Sequence, residues 1–145
     1  MLFRSFRSQS QVFGSGLSPD GRFLAYVSDS SGRNEVYVHP FNPAAGAAAA
    51  PGGGVSRISD QGGQGMAFWR RDGKELYYLA ADRGVMAVEV ATAPTFQFGR
   101  PKLLFRPPAE ILPGVGPGTA SISRDGERIV IAVPQIGRAS CRERV

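Results

Sequence analysis

A short phrase built on Asp-Gly occurs three times in this chain at a nearly constant spacing. Asp20 and Asp72 are 52 residues apart, and Asp72 and Asp125 are 53 residues apart. The three copies are SPDGRFLAYV at 18–27, RRDGKELYYL at 70–79 and SRDGERIVIA at 123–132. A fixed period in this range is typical of propellers, solenoids and other repeat arrays. The repeat therefore constrains the architecture more than any other feature of the sequence.

Each Asp-Gly pair is predicted to turn one strand back on the next. The glycine supplies the positive φ that a tight hairpin turn requires, and the aspartate can accept a hydrogen bond from the backbone two residues on. The predicted turn residues are Asp20, Gly21, Asp72, Gly73, Asp125 and Gly126. Because turn geometry explains their recurrence, these aspartates are not predicted to be catalytic.

Apolar runs of strand length stand on both sides of each turn. Leu17, Trp69 and Ile122 each precede an aspartate by three residues and are predicted to close an incoming strand. The runs that follow the turns are apolar on both alternating faces, which predicts interior strands covered from both sides. These runs lie at 23–27, 76–79 and 129–133.

Two further strands are predicted in each of the first two units. In the first unit, polar residues including Glu35 and His39 alternate with Val36 and Val38, which predicts a half-exposed strand. Valines recur at the same offsets in the second unit. Weaker fourth strands are predicted at 55–59 and 102–105. Four antiparallel strands in a unit of this length are typical of a propeller blade.

These residues carry a resemblance to a known family. The segment SPDGRFLAYVSD at 18–29, followed by EVYV at 35–38, resembles the WD-repeat-like, PD40-like blade of TolB-type β-propellers. The segment WRRDGKELYYL at 69–79 is similar to the C-terminal propeller of bacterial membrane-bound serine/threonine kinases. The resemblance covers residues 11–134 and implies an all-β fold, a partial β-propeller of about two and a half four-stranded antiparallel blades.

The predicted boundaries follow the repeat. They are a leader or remnant of a preceding blade at 1–10, blade 1 at 11–59, blade 2 at 60–106, a partial blade 3 at 107–134 and a tail at 135–145. Blade 1 contains an Ala/Gly-rich insert at 44–54, which is predicted to be a flexible connection. A closed propeller uses roughly four to eight blades, so closure is predicted to need the remaining blades in cis or an oligomer.

The tail breaks the repeat where another turn and strand are due. It is predicted to be either disordered or a translated stretch that is foreign to the native gene. The abrupt end of strand-forming sequence at Pro134 favours the second interpretation.

Composition excludes several classes of partner. The chain has a net charge of +5 with 17 Lys and Arg residues, but its arginines are scattered, without runs or interleaved aromatics, so no nucleic acid is predicted. No apolar stretch approaches the roughly 18 residues of a membrane span. The single cysteine, Cys141, excludes an internal disulfide and leaves the compartment open.

No catalytic, cofactor-binding or metal-binding residues are predicted. The Gly-x-Ser-x-Gly elbow of a serine hydrolase does not occur, and His39 is the only histidine, at an outward strand position typical of a surface residue. One His and one Cys cannot form a zinc site by themselves. The glycine-rich segments 62–65 and 114–118 lack the ending of a phosphate loop and are predicted to be connections. The chain is therefore predicted not to be an enzyme, with any catalytic domain lying outside it.

The predicted function is that of a non-enzymatic binding or sensor module for a protein or a small ligand. Loops on rigid scaffolds are where binding residues concentrate, which favours residues 59–65 and 111–118. Trp69 and Tyr77 are further candidates for interaction, although aromatics at such positions are more typical of the core.

The resemblance implies an extracytoplasmic or periplasmic sensor of a transmembrane kinase. The alternatives are the propeller of a prolyl-oligopeptidase-like hydrolase and a TolB-like envelope protein.

Overall fold

The described part of the chain forms three antiparallel sheets that follow one another along the sequence. The computed structural model describes residues 10–41, 54–107, 120–123, 128–135 and 138–144. These residues form strands and turns, and no helix occurs among them. The prediction of an all-β protein with antiparallel sheets is therefore confirmed.

The first sheet is a meander of four strands in the order β1-β2-β3-β4. Its strands are β1 (Val12–Leu17), β2 (Phe23–Ser28), β3 (Glu35–Pro40) and β4 (Ser56–Arg57). The fourth strand is shorter than the predicted 55–59. Its ladder ends early because the hydroxyl of Ser59, rather than a backbone carbonyl, accepts the hydrogen bond of the Val36 amide at 2.8 Å.

The second sheet repeats this meander with one addition. Its strands are β5 (Gly63–Trp69), β6 (Glu75–Ala80), β7 (Val85–Ala91), β8 (Gln97–Phe98) and β9 (Lys102–Phe105). The fourth strand occupies the predicted residues 102–105, and the two-residue β8 was not predicted. Both β8 and β9 pair with β7, at different parts of its length.

The third sheet contains β10 (Ala120–Ile122), β11 (Ile129–Gln135) and β12 (Arg138–Arg144), in that order. The last strand lies in the tail 135–145, which the sequence predicted to be either disordered or foreign to the native gene. The strand differs from the first alternative, and the second stays a prediction. This strand pairs with β11 from Gln135↔Arg138 to Ile129↔Arg144. The sequence after Pro134 lacks an apolar run. The hydrogen bonds that pair two strands are made by backbone groups, however, and do not require apolar side chains.

Two hydrophobic clusters lie between the sheets. The first joins the first and second sheets and includes Phe23, Ala25, Val27, Val36, Val38, Ile58, Ala67, Trp69, Leu76, Tyr78, Ala80, Val88 and Val90. The second joins the second and third sheets and consists of Tyr77, Leu79, Val85, Ala87 and Ile129. Successive residues of β6 thus enter different clusters, as the prediction of a strand covered from both sides requires.

Candidate functional site

The loops of the first two sheets gather at two opposite ends of the strands. We call the end that contains residues 29–34, 59–65 and 81–84 the connector end, because 59–65 leads from the first sheet to the second. The loops are in close contact there: the Gly63 amide donates to the Asn34 carbonyl at 2.8 Å. A Cβ at Gly62 would lie 3.3 Å from the Cβ of Ala81. The end that contains the Asp-Gly turns is the hairpin end.

Glu35 is the centre of a polar network at the connector end. Its side chain is fully buried, at 0% exposure, although the alternation in β3 predicted a half-exposed position. That prediction was wrong because the residues before β5 cover this end of β3. The Nε of Arg33 lies 2.6 Å from Oε1 of Glu35, and the hydroxyl of Ser59 donates to Oε2. A buried carboxylate is tolerated where it is paired in this way.

The same network fixes the backbone of residues 59–65, the connector loop. Ser59 accepts from the amide of Val36 at 2.8 Å, and the amide of Ile58 donates to the Val36 carbonyl at 2.8 Å. A guanidinium nitrogen of Arg33 donates to the carbonyl of Asp60 at 3.4 Å. The loop is therefore attached to β3 at several points before it enters β5.

The connector loop exposes polar side chains from this fixed backbone. Asp60, Gln61 and Gln64 are exposed, whereas the glycines at 62, 63 and 65 are buried. Gly63 has no room for a side chain, because a Cβ there would lie 2.5 Å from Cγ2 of Val36. The loop can thus offer one carboxylate and two amides to a ligand. The second predicted binding loop, 111–118, lies outside the described residues.

Tyr78 lies two residues before the end of β6 and carries a buried hydroxyl. The residue is 0% exposed, and its hydroxyl has no hydrogen-bond partner in the part of the chain that the structure describes. Burial raises the pKa of Tyr78 above its usual value, and the negative charges of Asp60, Glu35 and Asp82 add to the rise. Asp82 is itself paired with Arg106, whose guanidinium lowers the pKa of that carboxyl.

The hairpin end has the geometry of structural turns. Gly21 and Gly73 have φ of 70° and 71°, the left-handed conformation that an Asp-Gly turn uses. The Asp20 carboxylate accepts from the Arg22 amide at 3.1 Å, and the Asp72 carboxylate accepts from the Lys74 amide at 3.0 Å. Burial alone would raise the pKa of Asp20, but hydrogen bonds from Ser18 and Arg22 outweigh it and lower the pKa.

The third turn lies partly outside the described residues, which do not include Asp125 and Gly126. The residues on either side of this turn are nevertheless joined by the same kind of hydrogen bond as in the first turn. The Arg128 amide donates to the hydroxyl of Ser123 at 2.9 Å, and the Phe23 amide donates to the hydroxyl of Ser18 at 3.0 Å. The second turn has Arg70 at this position, and its guanidinium pairs with Asp72 and Glu75 instead.

Trp69 and Tyr77, the two predicted candidates for interaction, are both in the interior. Trp69 is 7% exposed in the first cluster and Tyr77 is 3% exposed in the second. The hydroxyl of Tyr77 donates to the carboxylate of Glu75. Burial and this hydrogen bond both raise the pKa of Tyr77. Both side chains therefore have the core position that the sequence favoured.

Neither a metal cluster nor a membrane-spanning helix is found in the described part of the chain. Those residues contain no group of three or more His, Cys, Asp or Glu side chains placed to hold a metal ion. They also contain no helix with the length and apolar character needed to cross a bilayer. His39 is half-buried, with its Nδ1 2.5 Å from the carbonyl oxygen of Pro40.

Comparison with known proteins finds similarity in structure but none in sequence. No protein-family model matches the sequence, and no curated protein matches it. Among solved structures, the chain is similar to TolB from Acinetobacter baumannii, with a TM-score of 0.43 and 16% sequence identity. The similarity covers 94% of this chain and 41% of that one, so the chain spans less than half the length of the TolB structure.

Proposed function

We propose that this chain is a segment of a β-propeller and that it serves as a non-enzymatic binding module. Two antiparallel sheets, the first of four strands and the second of five, follow one another at the period of the Asp-Gly repeat, each buried against the next. Blades that bury their surface mainly against neighbouring blades have this arrangement. In this proposal the blades are 11–59, 60–106 and the partial 107–134.

The observation that carries the binding role is the connector loop. Its backbone is attached to β3 through Ser59, Glu35 and Arg33, whereas Asp60 and Gln61 extend into solvent. A loop that is already ordered loses little conformational entropy when a ligand binds. Exposed polar side chains on such a backbone are suited to recognition of a protein or a small polar ligand.

The parent protein in this proposal is a bacterial membrane-bound serine/threonine kinase, in which the propeller acts as an extracytoplasmic sensor. What supports this finer assignment is the similarity of the second unit, WRRDGKELYYL, to the blades of such propellers. Catalysis then belongs to a domain outside this chain. Function cannot be derived from fold alone, so the assignment depends on direct measurement.

The site is tested by selecting ligands on the chain and then changing the loop. Peptides from a random phage-displayed library are selected on the immobilised chain and measured against a variant with Asp60→Ser, Gln61→Ser and Gln64→Ser. The control variant carries Arg71→Ser and Lys74→Ser, two exposed changes at the hairpin end. We expect the first variant to lose the selected peptides and the control to retain them. If the selected peptides bind both variants equally, the connector loop is not the binding site.

The absence of catalysis is tested separately. Peptide and ester substrates incubated with the chain should show no hydrolysis above the buffer rate. Activity that survives repurification and disappears when one residue of this chain is changed would contradict the proposal.

A further inference from the structure

The connector loop is attached to the start of β3 by contacts of two kinds. Some are made by the backbone, such as the hydrogen bond of 2.8 Å from the Gly63 amide to the Asn34 carbonyl. The others depend on the side chains of Arg33, Glu35 and Ser59. Backbone contacts are open to almost any sequence, whereas side-chain contacts need particular residues. The side chains therefore show which residues the attachment of the loop depends on.

The carboxylate of Glu35 is buried, but the charge that compensates it is not. The side chain of Glu35 is 0% exposed, and the Nε of Arg33 lies 2.6 Å from its Oε1. Arg33 is the one cation that pairs with Glu35 in the described residues, and its own side chain is 59% exposed. A buried carboxylate without a cation is costly. A residue at the surface of the loop 29–34 thus stabilises a charge in the interior.

Loss of the Arg33 charge would act on the connector loop through Glu35. An uncompensated carboxylate gains free energy by moving into water, and Glu35 cannot do so without breaking its hydrogen bond with Ser59. The hydroxyl of Ser59 also accepts from the Val36 amide at 2.8 Å, so the movement would disturb the joint between β3 and the loop. The other contact of Arg33, with the carbonyl of Asp60, is long at 3.4 Å and exposed, so it contributes less.

We propose that Arg33 is a positioning residue of the connector site. Its charge holds Glu35 in place, and through Glu35 and Ser59 it holds the connector loop in the conformation that binds a ligand. The inference rests on the proposed function, since it names what positions that same site. Removal of one charge of a buried pair is much more costly than removal of both, because a neutral pair leaves no charge uncompensated. Loss of Arg33 alone should therefore loosen the loop more than loss of both charges does.

The first test is amide hydrogen exchange, measured by NMR without any ligand. The variant is Arg33→Gln, and the control is Arg57→Gln, since Arg57 is an exposed residue of β4 without an ion pair in the described residues. The Gly63 amide reports on the connector loop, and the Arg70 amide, bonded to the Glu75 carbonyl at 2.8 Å, reports on the hairpin end. We expect Arg33→Gln to accelerate exchange at Gly63 by about tenfold and to leave Arg70 unchanged, with neither affected in the control. Unchanged exchange at Gly63, or equal acceleration at both amides, would overturn the proposal.

Two rescue variants show whether the charge is responsible. Arg33→Lys keeps the cation, and the double variant Arg33→Gln, Glu35→Gln removes both charges while Ser59 keeps an acceptor for its hydroxyl. We expect both to return exchange at Gly63 to near the wild-type rate. If Glu35→Gln alone already accelerates exchange, Arg33→Lys decides the matter. Exchange in Arg33→Lys as fast as in Arg33→Gln would contradict a role of the charge.

The peptides selected on the wild-type chain measure the consequence for binding. We expect Arg33→Gln to weaken their affinity by about tenfold, because the binding conformation is less populated, and both rescue variants to restore it. Restored exchange without restored affinity would mean that Arg33 contacts the ligand itself, which would overturn its assignment as a positioning residue. A library that yields no peptide would count against the proposed function, whereas the exchange measurements would still decide whether Arg33 holds the loop. The two proposals therefore fail separately.

Discussion

The indole Nε1 of Trp69 donates a hydrogen bond of 3.0 Å to the backbone carbonyl of Gly16, across the interface between the first two sheets. The two residues are 53 positions apart in sequence. Gly16 lies directly against β5, since a Cβ there would be 3.3 Å from the carbonyl oxygen of Ala67. The last residue of β5 therefore attaches the second repeat unit to the first strand of the preceding one.

Replacement of Trp69 by Phe should destabilise the chain by about 2 kcal/mol, because the Gly16 carbonyl loses its donor and part of the indole volume is left empty. The measurement is the free energy of unfolding in urea. Phe98→Leu is the control, since Phe98 is exposed and should change stability by no more than about 0.5 kcal/mol. Similar losses for the two variants would argue against a specific role of the indole.

Gly73→Val should destabilise the chain by about 1–2 kcal/mol more than Gly54→Val does. Gly73 has a φ of 71°, which a β-branched residue adopts at a cost. Gly54 is exposed, and a Cβ added there would meet nothing within 4 Å. Urea unfolding of the two variants compares them directly. Equal losses of stability in the two variants would argue against a left-handed conformation at Gly73.

Tyr77→Phe and Tyr78→Phe should have opposite consequences at neutral pH, although the residues are adjacent. The first removes a hydrogen bond to Glu75 and should cost about 1–2 kcal/mol. The second removes a buried hydroxyl that has no partner in the described residues, so it should be neutral or slightly stabilising. Thermal and urea unfolding give both values, and a larger loss for Tyr78→Phe would show that its hydroxyl is satisfied.

Stability should decline as the pH rises above about 10. Burial raises the pKa of both Tyr77 and Tyr78 above the usual 10.0, so the unfolded chain releases these protons first. The stability that each phenol contributes is complete below its pKa in the unfolded chain. It is lost as the pH rises toward the higher pKa of the folded chain. Urea unfolding at about pH 8 and about pH 11 measures the decline.

The Tyr77→Phe, Tyr78→Phe double variant should show a smaller decline over the same range. Lys102, whose pKa is raised by its hydrogen bond to Glu89, contributes in the same direction but is present in both proteins. An unchanged decline in the double variant would mean that the two phenols do not titrate differently in the folded and unfolded states.

The strands were predictable where the local signal and the packing agree. Leu17, Trp69 and Ile122 close β1, β5 and β10, as the three-residue spacing to each aspartate predicted. Asp-Gly turns and apolar runs are local properties of the chain, so they can be recognised without knowledge of what packs on each face.

The connector site was predicted only in part. Residues 59–65 were identified as a binding loop from their glycines and position, but Glu35 was assigned to a half-exposed face. Alternation along a strand tells which residues share a face, but it does not tell which face another part of the chain covers. The pair of opposite charges at Arg33 and Glu35 was the only local indication of the network. Nothing in the sequence pattern near Tyr78 indicated that its hydroxyl is buried without a hydrogen-bond partner in the described residues.

The division of β6 between two hydrophobic clusters has a consequence for how this chain tolerates change. Leu76, Tyr78 and Ala80 contact the first cluster, whereas Tyr77 and Leu79 contact the second. Mutations at even and odd positions of one strand should therefore couple to different partners, the former to the first sheet and the latter to the third. Compensating substitutions will be found on opposite sides of β6, so neighbouring residues of this strand are free to diverge independently of each other.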